Sequence, residues 1–243
     1  MKVFSEILAR LPGLFSVELG IDVAANPQQR QRWFLAAILF GGRISGKLAA
    51  HTYKVFAEQD AVRPEVIVAL GWDRLVTLLD RGGYTRCDYK TATKLLAVMG
   101  ALVDQYEADL ERLHDRAQSA DDLEVRLQNL GAGIGPVTVN IFLRELRGIW
   151  SKADPPLSFL TQLSSENLGI LPSGISPRQA LETLQAEWRS QPVEGRAFSD
   201  LEAALVRLGR DFCRKKSDSL CPLGTWCRKR TCPHKSPRSY TLS

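Results

Sequence analysis

The segment Leu130-Gly131-Ala132-Gly133-Ile134-Gly135-Pro136-Val137-Thr138-Val139-Asn140-Ile141-Phe142-Leu143 limits the possible folds more than any other part of the chain. Glycines at every second position are costly inside a helix or a strand, so they end the element before them. Pro136 has a fixed φ and no N–H, which suits the first turn of a helix and bars it from the interior. The segment therefore reads as one helix ending at the glycines and a second starting at Pro136. The first N–H groups of that second helix lack an intrahelical partner, and glycine lets a phosphate approach them with no Cβ in the way. A plain turn between two helices has the same pattern, and both readings stand on these residues alone.

Elsewhere the chain repeats helix signals. Asn26-Pro27-Gln28-Gln29 offers a cap, a proline at the first helical position and a capping-box Gln ahead of the apolar run Trp33–Phe40, which stops at Gly41-Gly42. Further helices are predicted over 45–56, over 64–70 and 73–79 on either side of Gly71, and from Asp88 through Leu95, Val98, Leu102 and Tyr106. Ser119 and Asp122, Ser176-Pro177-Arg178-Gln179, and Ser199-Asp200-Leu201-Glu202 each announce another start. No stretch alternates cleanly with period two between turn residues, so the expected fold class is all-α. An apolar content of 44% is enough for a sizeable core. The run 33–40 is too short to cross a bilayer, and Met1–Glu6 does not open an unbroken apolar leader. The expectation is a monomer with no membrane partner, cytoplasmic and nucleoid-associated if the source is prokaryotic.

Four of the five cysteines, Cys213, Cys221, Cys227 and Cys232, lie close together in sequence, separated by seven, five and four residues. Clustering of this kind points to a metal or cluster site rather than to disulfides. Four thiolates can hold tetrahedral zinc or a [4Fe-4S] cluster; zinc knuckles favour cysteine pairs two to four residues apart, whereas wider loops suit a cubane. Cys87 stands alone and reads as a partly buried thiol. From Arg210 onward nine Lys and Arg face only Asp211 and Asp218, a local surplus of seven against +5 for the whole chain. A polyanionic partner explains that concentration of charge, with a generally basic surface as the alternative.

Gly133-Ile134-Gly135, followed by Thr138, an apolar helix and then Asp154, resembles the helix-hairpin-helix DNA glycosylases typified by endonuclease III. That family carries Leu-Pro-Gly-Val-Gly-Arg-Lys-Thr-Ala at the hairpin. Here Ala132 stands in place of the proline and Val137 in place of the lysine, and Asp154 lies 17 residues past Val137, within one residue of the family's essential aspartate. Phe34–Leu39 is similar to the first barrel helix, Gly82-Gly83-Tyr84 to the Gly-Leu-Tyr segment, and Leu208-Gly209-Arg210-Asp211-Phe212-Cys213 to the approach to the first cluster cysteine. The resemblance covers about 200 residues, from 30 to 232. It implies a two-domain fold: a six-helix barrel over 30–150 containing the hairpin, and a helical cluster domain from 1–29 and 151–243 that ends in a [4Fe-4S] loop on Cys213, Cys221, Cys227 and Cys232.

The implied activity is hydrolysis of an N-glycosidic bond in duplex DNA holding a damaged or mismatched base. Positive charge grows on the sugar as that bond breaks, and a fixed carboxylate facing C1′ stabilises it; Asp154 is the candidate, although an acid before proline is also an ordinary helix cap. A lyase also needs an amine nucleophile. Val137 offers none, which favours a monofunctional enzyme, while Lys152 keeps a bifunctional glycosylase open. Phosphate contacts are expected from Gly133, Gly135, Val137 and Thr138 at the hairpin and from Lys215, Lys216, Arg228, Lys229 and Arg230 near the cysteines. Arg43 is the candidate to fill the gap left by an everted base, or to touch phosphate, since Gly42 at the family's wedge position has no side chain. Tyr53, Tyr84, Tyr89, Trp150 and His51 are possible pocket residues, each with core packing as the plainer role. A DNA-binding protein without catalysis, and a zinc- or cluster-bearing redox or scaffold protein, are the competing classes.

Overall fold

A computed structural model describes residues 3–42, 44–85, 88–215 and 221–228. Among these residues the chain is all-α and has no strand; the one β-type pairing is an isolated bridge between Arg147 and Trp150. No helix is long and apolar enough to cross a membrane among them. The chain divides into two compact units, one made of Phe15–Pro155 and the other of Met1–Leu14 with Pro156–Ser243.

Among its described residues the unit Phe15–Pro155 holds eight helices: α2 (Phe15–Glu18), α3 (Pro27–Phe40), α4 (Gly46–Glu58), α5 (Pro64–Arg81), α6 (Asp88–Tyr106), α7 (Leu110–Arg116), α8 (Ala120–Gln128) and α9 (Pro136–Arg144). Helix α3 is its axis. Asn26 caps it by accepting from Gln29 N at 3.0 Å. Trp33, Phe34, Leu35, Ala36, Ala37, Ile38 and Leu39 are all buried, which is why this run is apolar on every side instead of on one stripe. The Trp33 indole donates to Phe142 O at 3.1 Å, and Phe34 meets Phe142 edge-on at 5.0 Å between centroids, so α9 is locked against α3. Full burial of a side chain such as Phe34 stabilises by about 2–3 kcal/mol.

Ser119 caps α8 where a helix start is expected, and Ser45, expected as the first residue of its helix, is the cap of α4. Gly71, at φ +72 and ψ 175, is non-helical and divides α5 into two helices joined by a kink, as expected around it. Asp88 lies inside the first turn of α6 rather than before it.

The second unit combines α1 (Val3–Arg10) with α10 (Phe159–Asn167), α11 (Pro177–Ser190) and α12 (Phe198–Leu208). Phe4 and Ile7 of α1, Leu181 and Leu184 of α11, and Leu201 and Leu205 of α12 share its core. Ser176 and Gln179 complete the capping box expected of them. Helix α12 starts earlier than its sequence signal suggested: Asp200 reaches back to Ala197 N at 2.9 Å, and Ser199 is a buried residue within the first turn. A π-helical turn, Gly209–Cys213, continues α12 directly, and a 3-10 turn spans Gly224–Trp226. At Gly209 the backbone of Leu160 occupies the space that a Cβ would need, so glycine is required there for α10 and the π-turn to approach.

Candidate functional site

Helix α8 ends at Asn129, and the chain turns through Gly131–Gly135 into α9. Gly133 has φ +93, a conformation open to glycine and strained for other residues, and a Cβ there would lie 2.8 Å from Lys94 Cδ. Ile134 is the anchor of the turn, buried and donating its N–H to Gly131 O at 3.2 Å. Gly135 is the N-cap of α9 and supplies no side-chain acceptor, and a Cβ on it would meet nothing within 4 Å. The first intrahelical bond is Val139 N to Gly135 O, so the amides of Val137 and Thr138 precede the ladder. Val137 projects into solvent, 67% exposed. The Thr138 side chain turns inward, its Oγ1 in the space a Cβ on Gly41 would need, so Thr138 is buried and its hydroxyl is not offered to solvent.

Gly41 and Gly42, which end α3, are thus small for a packing reason. Thr138 abuts the first, and the Tyr84 hydroxyl, donating to Leu39 O at 3.3 Å, abuts the second. The Lys94 ammonium donates to Ile38 O at 3.5 Å on the same helix end.

Downstream of α9, residues 145–153 are pinned by polar contacts. The Glu145 carboxylate is fully buried and accepts from Phe15 N at 2.8 Å and Ser16 N at 3.0 Å. Burial pushes its carboxyl above the ordinary range, with the Arg144 charge and those amides pulling the other way. Glu111 joins Arg30 (2.6 Å) to the Trp150 indole (2.9 Å), and His114 stacks on Trp150 at 4.9 Å. Lys152 Nζ donates to His114 O at 2.8 Å.

Asp154 comes next, in a non-helical stretch that runs from 153 to 158; α10 starts only at Phe159, capped by Ser158. The expected helix start at Pro155 is therefore corrected: Pro155 and Pro156 hold the preceding residues extended. An N-cap role for Asp154 goes with it. The carboxylate is instead held by Arg147, whose Nη1 donates to Asp154 Oδ1 at 2.7 Å while Nη2 donates to Pro155 O. The Arg147 side chain is 6% exposed and that of Asp154 44%, so a buried cation grips a carboxylate that reaches solvent.

In the other unit, Cys213 leaves the π-turn beside Cys221 and Cys227. The three cysteines line one small, largely apolar cavity. Leu168, Leu208, Phe212 and Leu223 form its apolar wall, and among the described residues Asn167 is its one polar side chain besides the thiols. Burial pushes the Cys213 thiol up, a hydrogen bond from the Asn167 side chain opposes this, and neighbouring Cys221 and Cys227 add to the rise. Asn167 is 7% exposed and its Oδ1 has no hydrogen-bond partner among the described residues, an arrangement that costs about 1–3 kcal/mol. Among the described residues no three His, Cys, Asp or Glu side chains converge on a point that suits one metal ion. Three cysteines among apolar side chains are the soft donor type that iron–sulfur groups take.

The remaining expected contacts divide. Lys215 is exposed and lies 3.8 Å from Asp211, which also pairs with Arg210 at 2.7 Å. The exposed Arg228 lays its guanidinium across Gly169, and its N–H donates to Asn167 O at 2.7 Å, so it closes the end of α10. Tyr53, Tyr84 and Trp150 are core residues; His51 is exposed, and Tyr89 is 60% exposed against Trp72. Arg43, Cys87, Lys216, Lys229, Arg230 and Cys232 lie outside the described residues. Sequence reasoning missed Arg147, Glu145, Lys94 and Asn167. No periodic or motif signal marks any of them, because each acts on a partner distant in sequence or on a loop. No protein-family model matches the chain, and no curated protein matches it.

Proposed function

We propose that the chain is a monofunctional DNA glycosylase with the two-domain helix-hairpin-helix architecture, acting on a damaged or mismatched base everted from duplex DNA. The observation that carries the reading is the Arg147–Asp154 pair: a carboxylate with no helix to cap, fixed by a buried guanidinium and open to solvent, in the unit that also holds the uncapped glycine turn. The Val137 and Thr138 amides at the start of α9 suit a phosphate and read no base, so they position DNA without sequence preference. Lys215 and Arg228 of the other unit add cationic contacts of the same kind.

The base–sugar bond breaks as the everted nucleotide faces Asp154, whose negative charge stabilises the cationic sugar and orients water. The water oxygen bonds to C1′, the bonding pair leaves with the base, and the water proton goes to solvent or to the base. Lys152, tied to a carbonyl, is not needed in this sequence. Cys213, Cys221, Cys227 and Cys232 would hold a [4Fe-4S] cluster, which when bound supplies a rigid cross-link and a one-electron couple. The thiols then fix the basic loop at low entropic cost.

A second reading has a specific observation behind it. The Arg147–Asp154 pair is also a sound structural ion pair, as a DNA-binding protein without catalysis would have. Asp154→Asn (D154N) separates the two. On a panel of single-lesion duplexes, the glycosylase reading expects loss of base release with duplex affinity kept within about threefold, less than 1 kcal/mol. Base release at the wild-type rate would exclude Asp154 from the chemistry.

A further inference from the structure

Among the cavities, charged clusters and exposed faces of the molecule, the side chain that its surroundings explain least is Asn167. It is the last residue of α10, more than nine-tenths buried, on the edge of the space that Cys213, Cys221 and Cys227 share. Its neighbours there, Leu168, Leu208 and Leu223, are what a position chosen for packing would hold. An amide in that wall buries its Oδ1, which finds no partner among the described residues. A leucine would avoid the whole cost.

The backbone at Asn167 is fixed on the same side. Its carbonyl accepts from the Arg228 N–H at 2.7 Å, directly after Cys227, and the Arg228 guanidinium lies over Gly169. The end of α10 is thereby tied to the segment that carries Cys227, while Asn167 itself lines the cavity that the three cysteines line. This leaves the Asn167 amide little freedom to turn away from the thiols.

We infer that Asn167 is a positioning residue for a sulfur-bound group: its side-chain N–H donates to the Cys213 sulfur and sets how readily the group accepts an electron. The inference rests on the iron–sulfur reading of the four cysteines. A thiolate ligand can only accept hydrogen bonds, so the amide nitrogen must face it. A donor aimed at a ligand sulfur favours the form with more negative charge, which is the reduced one, and so raises the reduction potential. The unpaired Oδ1 is the cost of keeping that donor in place.

The test uses the full chain purified without oxygen. Iron and acid-labile sulfide are measured first, then the reduction potential of the wild type, Asn167→Leu and Asn167→Asp. Leucine keeps the volume and removes the donor; aspartate puts acceptors where the donor stood. The expected result is iron and sulfide in all three proteins, with the potential lower in Asn167→Leu than in the wild type and lower again in Asn167→Asp, and unchanged base release by Asn167→Leu. Should one variant fail to fold, the other decides by the same potential shift. Equal potentials at equal iron content would overturn the role of Asn167 and leave the cluster reading intact. A wild type with zinc, or with no metal and no sulfide, would overturn both.

Discussion

Arg147 and Asp154, seven residues apart and on no common helix, meet through a 2.7 Å bond from Nη1 to Oδ1, and the same guanidinium also holds the Pro155 carbonyl. Two bonds from one planar fork fix the position and the direction of the chain around the carboxylate. Arg147→Lys keeps the charge and gives up the fork. It is expected to slow single-turnover base release about tenfold or more, since small displacements of a reacting group are costly, while duplex affinity stays near wild type. Single-turnover kinetics and a binding isotherm on one lesion duplex check this; wild-type release by the lysine variant would show that the fork is dispensable.

The glycine turn permits a sharper separation. Gly133→Ala meets both a left-handed backbone and the Lys94 side chain, and is expected to cost about 1–2 kcal/mol of stability. Gly135→Ala meets neither, because its φ is −105 and a Cβ would stand in open space. Its stability should stay within about 0.5 kcal/mol of wild type, yet the added methyl group stands at the cap of α9, where a phosphate would approach the leading amides. Duplex affinity should therefore fall for Gly135→Ala at unchanged melting temperature, equally for all sequences. Wild-type affinity of a folded Gly135→Ala would remove the hairpin from the DNA contact.

These two sites differ in how far the sequence foretells them. The turn was legible because glycine and proline act on their own backbone, so Gly133, Gly135 and Pro136 announce the geometry themselves; caps at Asn26, Ser119 and Ser176 were legible for the same local reason. The partners of Asp154 and of Cys213 were not. Arg147 looks like any basic residue after a helix until the loop folds back, and Asn167 precedes Cys213 by a whole helical hairpin. The inward turn of Thr138 was hidden as well, since only the packing of α9 on Gly41 decides it.

Lys152 gives the next expectation. Its ammonium is spent on the His114 carbonyl at 2.8 Å, in a corner stiffened by the His114–Trp150 stack. Lys152→Met should cost about 1.5–3 kcal/mol of stability, the net worth of one hydrogen bond from a charged donor, and leave base release unchanged. Borohydride treatment of enzyme mixed with lesion DNA should trap no adduct. An adduct that disappears in Lys152→Met would make this amine a nucleophile and the enzyme a lyase.

Glu145 makes the larger unit sensitive to pH. Burial raises its carboxyl against the pull of Arg144 and the Phe15 and Ser16 amides, so the folded chain holds the proton more tightly than the unfolded chain does. The sign follows from linkage: the stabilisation is complete below the ordinary glutamate value of about 4.3 and is lost as pH rises through the higher folded value. Glu145→Gln, which has no proton to release, should flatten that part of the stability profile. Glu145→Ala should instead lower stability at every pH, by about 2–3 kcal/mol, because two buried amides lose their acceptor. Melting temperatures of the three proteins from pH 4 to 8 test both statements, with the difference between wild type and Glu145→Gln isolating this one group from the other carboxylates. A constant difference across that range would mean that Glu145 keeps the same charge in the folded and unfolded chains.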